Sequence, residues 1–183
     1  ATPMNLYAGN TAGGIFVKWG KVENATAYRV YRKAVGDDAW TYLKTVKNNY
    51  YPDLDIEAGV DYIYTVRALS GKVYSNFLPG VAIRRLEMPA LNGTKSTAEG
   101  IYIDFEQVEG ATGYNVYRKV GNGAWTAKSY LGTIRSDKSH TYLDVSAQKG
   151  VTYTYTVKAY FKDGTTTSVS AYETKGISCK DVY

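Results

Sequence analysis

The chain has 183 residues, 44% hydrophobic and 21% charged, a composition typical of a folded globular protein and not of a disordered one. The net charge of +5 is spread thinly, which argues against the dense basic stripe of a nucleic-acid-binding protein. One cysteine and one histidine exclude an internal disulfide and a Cys/His-rich metal site, and no apolar run is long enough for membrane insertion. The 19 tyrosines favour β-strands.

The sequence contains an internal repeat of four blocks in one order. Residues 14–19, 25–33, 36–41 and 59–68 match residues 100–105, 111–119, 121–126 and 150–159. The offset between matched residues is 85 or 86 in the first three blocks and 91 in the fourth, so we expect a longer loop between Trp125 and Tyr142 in the second copy. Each copy is the size of a domain, and we place the two domains at residues 1–86 and 87–183.

Apolar and polar residues alternate within each block. In the first copy, one face is predicted to hold Ile15, Val17, Trp19, Tyr28, Val30, Tyr62, Tyr64, Val66 and Ala68. A period of two with one apolar face is typical of half-buried antiparallel strands. Glycine, asparagine and aspartate separate the blocks, as expected for turns. The pattern predicts an all-β fold with one sandwich in each copy.

Both copies resemble fibronectin type III domains. The motifs that carry the resemblance are Trp19 on the second strand, a Tyr-x-Val strand at residues 28–30 and 114–116, and a Gly-x-x-Tyr-x-x-x-Val-x-Ala run from Gly59 and from Gly150. The resemblance implies that Tyr62 and Tyr153 form tyrosine corners, with hydroxyls bonded to upstream backbone. Phe105 replaces the core tryptophan in the second copy. The amino-acid sequences of these motifs are most similar to those of type III modules in Gram-positive bacterial surface and secreted proteins.

Few residues are candidates for chemistry. Asp53, Asp55 and Glu57 alternate and could bind calcium, but the second copy retains only Asp144 there. We therefore interpret Asp53 and Asp144 as turn residues that bond local backbone amides. No phosphate-binding loop or paired catalytic motif is present, so we expect no cofactor, no metal and no enzymatic activity.

Four further positions have alternative interpretations. His140 is interpreted as an exposed polar residue. Cys179 near the end is interpreted as a free thiol, with pairing between two chains as the alternative. Asn24 and Asn92 begin glycosylation sequons, which carry little weight in a bacterial protein.

The aromatic residues offer a candidate binding surface. Trp40 and Trp125 recur in both copies, which favours a structural role in the hairpin between the third and fourth strands over a platform for sugar rings. Other tyrosines do not recur in the alignment of the copies: Tyr42, Tyr50, Tyr74, Tyr102, Tyr130 and Tyr160. Exposed tyrosines are typical of recognition surfaces.

The sequence indicates a non-catalytic module of a longer bacterial protein. The short junction at residues 84–89 has no Gly/Ser spacer, so we expect a constrained pair that spaces or presents neighbouring domains at the cell surface or outside the cell. The alternative is a binding module that recognises a glycan or a host protein through exposed Tyr and Trp. Nucleic acid is not an expected partner.

Overall fold

In the computed structural model, which describes residues 1–135 and 137–183, the first copy forms two antiparallel sheets. Its strands are Tyr7–Asn10 (β1), Ile15–Lys18 (β2), Ala27–Ala34 (β3), Thr41–Val46 (β4), Tyr50–Asp53 (β5), Asp61–Ser70 (β6), Val73–Tyr74 (β7) and Val81–Arg84 (β8). One sheet has the order β1-β2-β5, and the other has β4-β3-β6 with β7 and β8 both paired to β6.

The second copy repeats this arrangement. Its strands are Leu91–Thr97 (β9), Gly100–Phe105 (β10), Gly113–Val120 (β11), Tyr130–Ile134 (β12), Thr141–Asp144 (β13), Thr152–Lys162 (β14), Thr167–Val169 (β15) and Ile177–Lys180 (β16). The sheets have the orders β9-β10-β13 and β12-β11-β14, with β15 and β16 paired to β14. The predicted all-β fold of two tandem sandwiches is confirmed.

Each sandwich encloses its own core, and the alternation in sequence selects the residues correctly. The nine residues predicted for one face of the first copy all lie in its buried cluster. Trp19 and Phe105 occupy the same place in the two cores, each against the tyrosine of the third strand. Both side chains are at most 1% exposed, so the phenylalanine fills the tryptophan position without leaving the core open.

Tyrosine hydroxyls close the ends of both cores. Tyr62 accepts a hydrogen bond from the amide of Glu57 at 3.0 Å, and Tyr153 accepts one from Gln148 at 3.2 Å. The predicted tyrosine corners are therefore confirmed. In the same way, the hydroxyls of Tyr28 and Tyr114 each accept a hydrogen bond from a backbone amide at 2.9 Å. Each hydroxyl satisfies an amide that the strand ladder leaves unpaired.

The longer loop predicted for the second copy is confirmed, but its extra residues fall in two places. A short 3-10 turn, Ala127–Ser129, separates Trp125 from β12. The connection from β12 to β13, residues 135–140, is also longer than residues 47–49 between β4 and β5. Ser136 in this connection lies outside the described residues.

Candidate functional site

The outer face of the larger sheet in the first domain carries a row of aromatic rings. We define the first aromatic row as Trp40, Phe77, Tyr31 and Tyr42. Trp40 and Phe77 are nearly parallel, with centroids 6.2 Å apart and an interplanar angle of 8°. Tyr31 lies edge-on to Phe77 at 5.1 Å and to Tyr42 at 5.8 Å. The rings therefore form one continuous patch and do not project singly into solvent.

Cationic side chains cover part of this patch. The Arg29 guanidinium lies 5.5 Å from the ring centroid of Tyr42, and that of Arg67 lies 4.6 Å from that of Phe77. The ammonium of Lys33 lies 5.3 Å from Trp40. Cation–π contacts of this length hold the charges flat against the rings. The surface is thus both aromatic and positively charged.

The second domain has an equivalent row at the same place. We define the second aromatic row as Trp125, Tyr172, Tyr117 and Tyr130. Tyr117 lies edge-on to Tyr130 at 5.9 Å, and Trp125 lies edge-on to Tyr172 at 6.4 Å. Lys158 lies 4.4 Å from the Tyr172 ring. A cleft of 310 Å³ in this domain is lined by Trp125, Tyr172, Tyr117 and Lys158.

The two rows correct one inference from the sequence. Tyr42 and Tyr130 were interpreted as tyrosines that do not recur, but Tyr42 pairs with Tyr31 across β3–β4 and Tyr130 pairs with Tyr117 across β11–β12. Their hydroxyls also contact equivalent threonines, at 3.0 and 2.7 Å. The two tyrosines are equivalent, and the 3-10 turn before Tyr130 had displaced it in the alignment.

The two recurring tryptophans also contact the segment before the last strand of each domain. A Cβ on Gly80 would lie 3.1 Å from Trp40, and one on Gly176 would lie 3.1 Å from Trp125. The indole nitrogen of Trp125 donates to the carbonyl of Thr174 at 2.8 Å. Each tryptophan therefore holds the segment before the last strand. The predicted role in the hairpin stays a prediction, since each indole also lies near a lysine ammonium of the hairpin's first strand, at 5.3 and 4.5 Å.

The remaining candidate residues lie apart from the rows. Tyr50 stacks on Phe16 at 5.5 Å on the smaller sheet of the first domain. Tyr102 lies on β10 of the smaller sheet of the second domain, and its hydroxyl donates to Glu99 at 3.0 Å. Tyr160 lines a separate groove of 530 Å³. Of the eight candidates, Tyr42 and Tyr74 both lie against Arg29, and Trp40 is linked to Tyr42 through the first aromatic row. In the second domain, Trp125 and Tyr130 both lie beside Tyr117.

The two aspartates before the tyrosine corner have a larger role than the sequence indicated. Asp53 accepts from Arg32 and from Tyr64, each at 2.8 Å, and its other oxygen faces the amide of Asp55 at 3.4 Å. The predicted local bond exists, but the arginine and tyrosine contacts dominate. Burial and the bond to Asp53 raise the pKa of Tyr64, so its hydroxyl keeps its proton and acts as a donor.

The second domain repeats this arrangement. Asp144 accepts from Arg118 at 2.7 Å and from Tyr155 at 2.8 Å, while Ser146 caps its other oxygen at 3.0 Å through the amide. Among residues 1–135 and 137–183, no group of three or more His, Cys, Asp or Glu side chains is placed to hold a metal ion. Both aspartates are committed to bonds within the fold.

The other singled-out residues lie at scattered positions. His140 is exposed, and its carbonyl accepts from the amide of Phe105 at 3.0 Å. Cys179 lies half-buried on β16 against the second core. Asn24 and Asn92 are exposed. Nothing in the described part of the chain gathers these residues into a site. No helix there is long and apolar enough to cross a membrane.

The junction between the domains is held from both sides. Arg84 forms an ion pair with Asp61 of its own domain, with Nε 2.7 Å from Oδ1. Its guanidinium also lies 3.6 Å from the ring of Phe161 in the second domain. Its amide donates to Ser168 at 2.8 Å. One residue thus joins the last strand of the first sandwich to the core and surface of the second.

The side chain of Asn10 spans the same contact. Its Nδ2 donates to the carbonyls of Arg84 at 2.9 Å and Val169 at 3.2 Å, and its Oδ1 accepts from the amide of Leu86 at 3.1 Å. Donors and acceptor are all used, so the asparagine fixes the strand, the junction and the second domain together.

Arg85 is buried at the junction and donates only to backbone. Its guanidinium donates to the carbonyls of Thr11, Gly14 and Leu86 at 2.9 to 3.1 Å. Burial lowers the pKa of the guanidinium, but an arginine remains charged at physiological pH. Leu86 is fully buried in the core of the second domain. The boundary at residues 86/87 stays a prediction, although Leu86 itself packs on the second side.

No protein-family profile and no curated protein matches the chain. Many solved structures are similar to it, and three of them serve as examples. The FN1-FN3 domains of chicken CNTN1 are 15% identical, with a TM-score of 0.46, over 100% of this chain and 68% of that one. A Fn3-like protein from Clostridium thermocellum is 24% identical, with a TM-score of 0.43, over 46% of this chain and 92% of that one. The chicken interferon gamma receptor alpha chain is 11% identical, with a TM-score of 0.48, over 100% of this chain and 99% of that one.

The assignment of the fold depends on the strand order and on the duplicated core. Each domain has a three-stranded sheet facing a larger sheet in the same order, with a tyrosine corner beside its core. Sandwich folds host many unrelated functions, so the fold alone does not assign a role to this chain. The chain folds as two tandem β-sandwiches whose strand order and tyrosine corners resemble those of fibronectin type III domains.

Proposed function

We propose that the two domains form a non-catalytic spacer that presents neighbouring domains of a longer bacterial surface or secreted protein. The observation that carries the proposal is the junction. Arg84 and Asn10 contact both domains there through hydrogen bonds and a stacked ring, while Arg85 anchors the junction to the first domain. A spacer transmits position only if its joints resist bending. Contacts on both sides of the junction supply that resistance, as a flexible linker would not.

The extracellular location is part of the proposal. It follows from the resemblance of both copies to modules of Gram-positive bacterial surface and secreted proteins. The neighbouring domains of the parent protein are then the expected partners. The domain division at residues 86/87 belongs to the same proposal, because the spacer role treats each sandwich as one unit.

Distance measurements between two spin labels test the spacer. Labels at Asp38→Cys and Lys128→Cys, in a Cys179→Ser background, lie at exposed positions in the two domains. We expect a single narrow distance distribution in the otherwise native chain. Adding Asn10→Ala and Ser168→Ala should broaden the distribution, because both substitutions remove bonds across the junction.

The control is Ser96→Ala. Ser96 accepts from the amide of Val182 at 3.1 Å, as Asn10 accepts from Leu86, but the Ser96 bond lies within the second domain and does not cross the junction. This control should leave the distribution narrow. A broad distribution in the native chain, or equal broadening by Ser96→Ala, would overturn the spacer proposal.

A binding role is the second candidate, and the two aromatic rows favour it. Tyr42 is 51% exposed and Phe77 is 43% exposed, yet both belong to a connected row. Exposed aromatic patches on a folded surface mark interaction sites more often than isolated rings do. The partner would be a glycan or a host protein, and the spacer would then also hold the binding surface away from the cell.

A further inference from the structure

Two arginines face each other on the outer face of the first domain. Arg29 on β3 and Arg67 on β6 are direct cross-strand partners in the antiparallel ladder. Like charges at such positions destabilise a sheet. The ion pairs among the described residues involve Arg32, Arg84 and Arg118, so neither Arg29 nor Arg67 has a carboxylate partner there.

The polar atoms of the pair are only partly used. Arg67 donates through Nε to the carbonyl of Ser75 at 2.6 Å. The Nε of Arg29 is buried and has no hydrogen-bond partner among the described residues. Both guanidiniums lie over the ring of Tyr74, at 4.3 and 5.2 Å. The ring fixes two planar cations side by side. Within the described residues the only side-chain hydrogen bond of the pair uses the Nε of Arg67, which leaves the terminal guanidinium nitrogens of both arginines as donors for a ligand.

The second domain shows that the sheet does not require this pair. The positions equivalent to Arg29 and Arg67 hold Asn115 and Lys158, which are also cross-strand partners. Asn115 accepts from Thr133 at 2.7 Å, so its polar group is satisfied within the domain. The doubled charge is therefore particular to the first domain and is not part of the common fold.

We propose that this face of the first domain binds an acidic polysaccharide. The guanidiniums of Arg29 and Arg67 donate to carboxylate groups of the polymer, because arginine matches planar carboxylates with paired donors. The exposed rings of Tyr42 and Phe77, on either side of Tyr31, give the sugar rings apolar surface to pack on. A glycan uses the charges and the rings together, whereas an acidic peptide needs only the charges.

This inference rests on the binding role proposed above and is independent of the spacer role. The test measures binding of the full chain to polygalacturonate oligomers by titration calorimetry at low salt. We expect saturable binding that weakens as salt is added, and binding at least about tenfold weaker for methyl-esterified oligomers, whose carboxylates are masked.

Substitutions locate the site. Arg29→Asn with Arg67→Gln should weaken binding at least about tenfold. The matched control, Lys95→Gln with Lys149→Gln, removes the same charge from exposed positions of the second domain and should bind as the native chain does. The melting temperature of the arginine variant should fall by no more than a few degrees below that of the native chain, because the substitution relieves the repulsion between the two guanidiniums.

Three outcomes would overturn the inference. They are no saturable binding, equal weakening in the lysine control, and equal binding to poly-glutamate, which would point to an acidic peptide. In each of these cases, a narrow spin-label distance distribution in the same protein would still support the spacer proposal. Loss of binding by the Tyr42→Ala variant, with Tyr130→Ala unaffected, would support stacking on the first aromatic row.

Discussion

Tyr64 donates its hydroxyl proton to the buried carboxylate of Asp53 at 2.8 Å, across the interface between the two sheets of the first sandwich. Asp53 lies on β5 of the smaller sheet and Tyr64 on β6 of the larger one. The second domain makes the same bond between Tyr155 and Asp144 at 2.8 Å. The Asp53 carboxylate is only 1% exposed, and its burial is tolerated because an arginine and a tyrosine both donate hydrogen bonds to it.

Replacing Tyr64 by phenylalanine removes a donor from this carboxylate. We expect the free energy of unfolding of the first domain to fall by about 2 kcal/mol, the usual effect of losing a hydrogen bond to a charged group. Chemical denaturation measures the change. Tyr42→Phe, at an exposed ring, should change stability by about 0.5 kcal/mol or less. Equal stability of Tyr64→Phe and the native chain would contradict the role given to this bond.

Asp144 makes the stability of the second domain depend on pH. Burial opposes its ionisation, but bonds from Ser146, Arg118 and Tyr155 outweigh burial, so the pKa of Asp144 lies below its usual value. The folded protein therefore binds the proton less readily than the unfolded chain. The stabilisation is complete above about pH 4 and is lost as the pH falls through the folded-state pKa.

Asp144→Asn should lower the free energy of unfolding by about 3 kcal/mol at neutral pH. Denaturation series at falling pH should show this difference shrinking below about pH 4. Asp38→Asn, at an exposed turn, serves as the control and should show no such convergence. A difference between Asp144→Asn and the native chain that stays constant down to pH 2.5 or so would contradict the linkage.

Gly110 tests the contact between the domains. Its φ is +77°, and a Cβ there would come within 2.7 Å of the Gly59 Cα in the first domain. Asn24, at the equivalent place in the first copy, tolerates a φ of 60°, so Gly110→Asn should keep the local backbone. We expect it to separate the domains, broadening the spin-label distribution while each domain stays folded.

The control for this change is Gly150→Asn. Gly150 has a φ of +82° and open space around the position of a Cβ. The Gly150→Asn variant should therefore have the same backbone strain without a clash, and its spin-label distance distribution should stay narrow. If both variants broaden the distribution equally, the close approach of Gly110 to Gly59 does not hold the domains together.

Trp19 offers a test of an unpaired polar group. Its indole nitrogen is buried with no hydrogen-bond partner among the described residues, and Phe105 occupies the same position in the second core. Trp19→Phe removes this donor but leaves a small gap, so we expect a change within about 1 kcal/mol. Phe105→Ala should cost about 3 kcal/mol or more. A large loss for Trp19→Phe would show that the indole has a role beyond filling the core.

The sequence predicted the core well because burial follows strand alternation. Tyr62, Tyr64 and Val66 were placed on one face by a period of two, and all three are buried. The tyrosine corners followed from the resemblance. These features depend on residues close together in sequence, so a repeat and a period suffice to locate them.

The surface features depend on residues brought together by register and loops. Phe77 and Tyr172 lie in segments before the last strands, where no period predicts their position. The pairing of Arg29 with Arg67 needs the register of β3 and β6. Tyr130 was missed as a partner of Tyr42 because the 3-10 turn shifts the numbering. The contacts of Arg84 with Phe161 require the tertiary arrangement of two domains.

Arg85 and Leu86 are joined by one peptide bond, yet the first bonds to carbonyls of the first domain and the second is buried in the core of the next. No linker residue separates the residue anchored to the first domain from the residue buried in the second core. A single inserted glycine between them would have to displace either the arginine or the leucine. Because both residues are anchored, the backbone dihedral angles between Arg85 and Leu86 set the angle between the two domains.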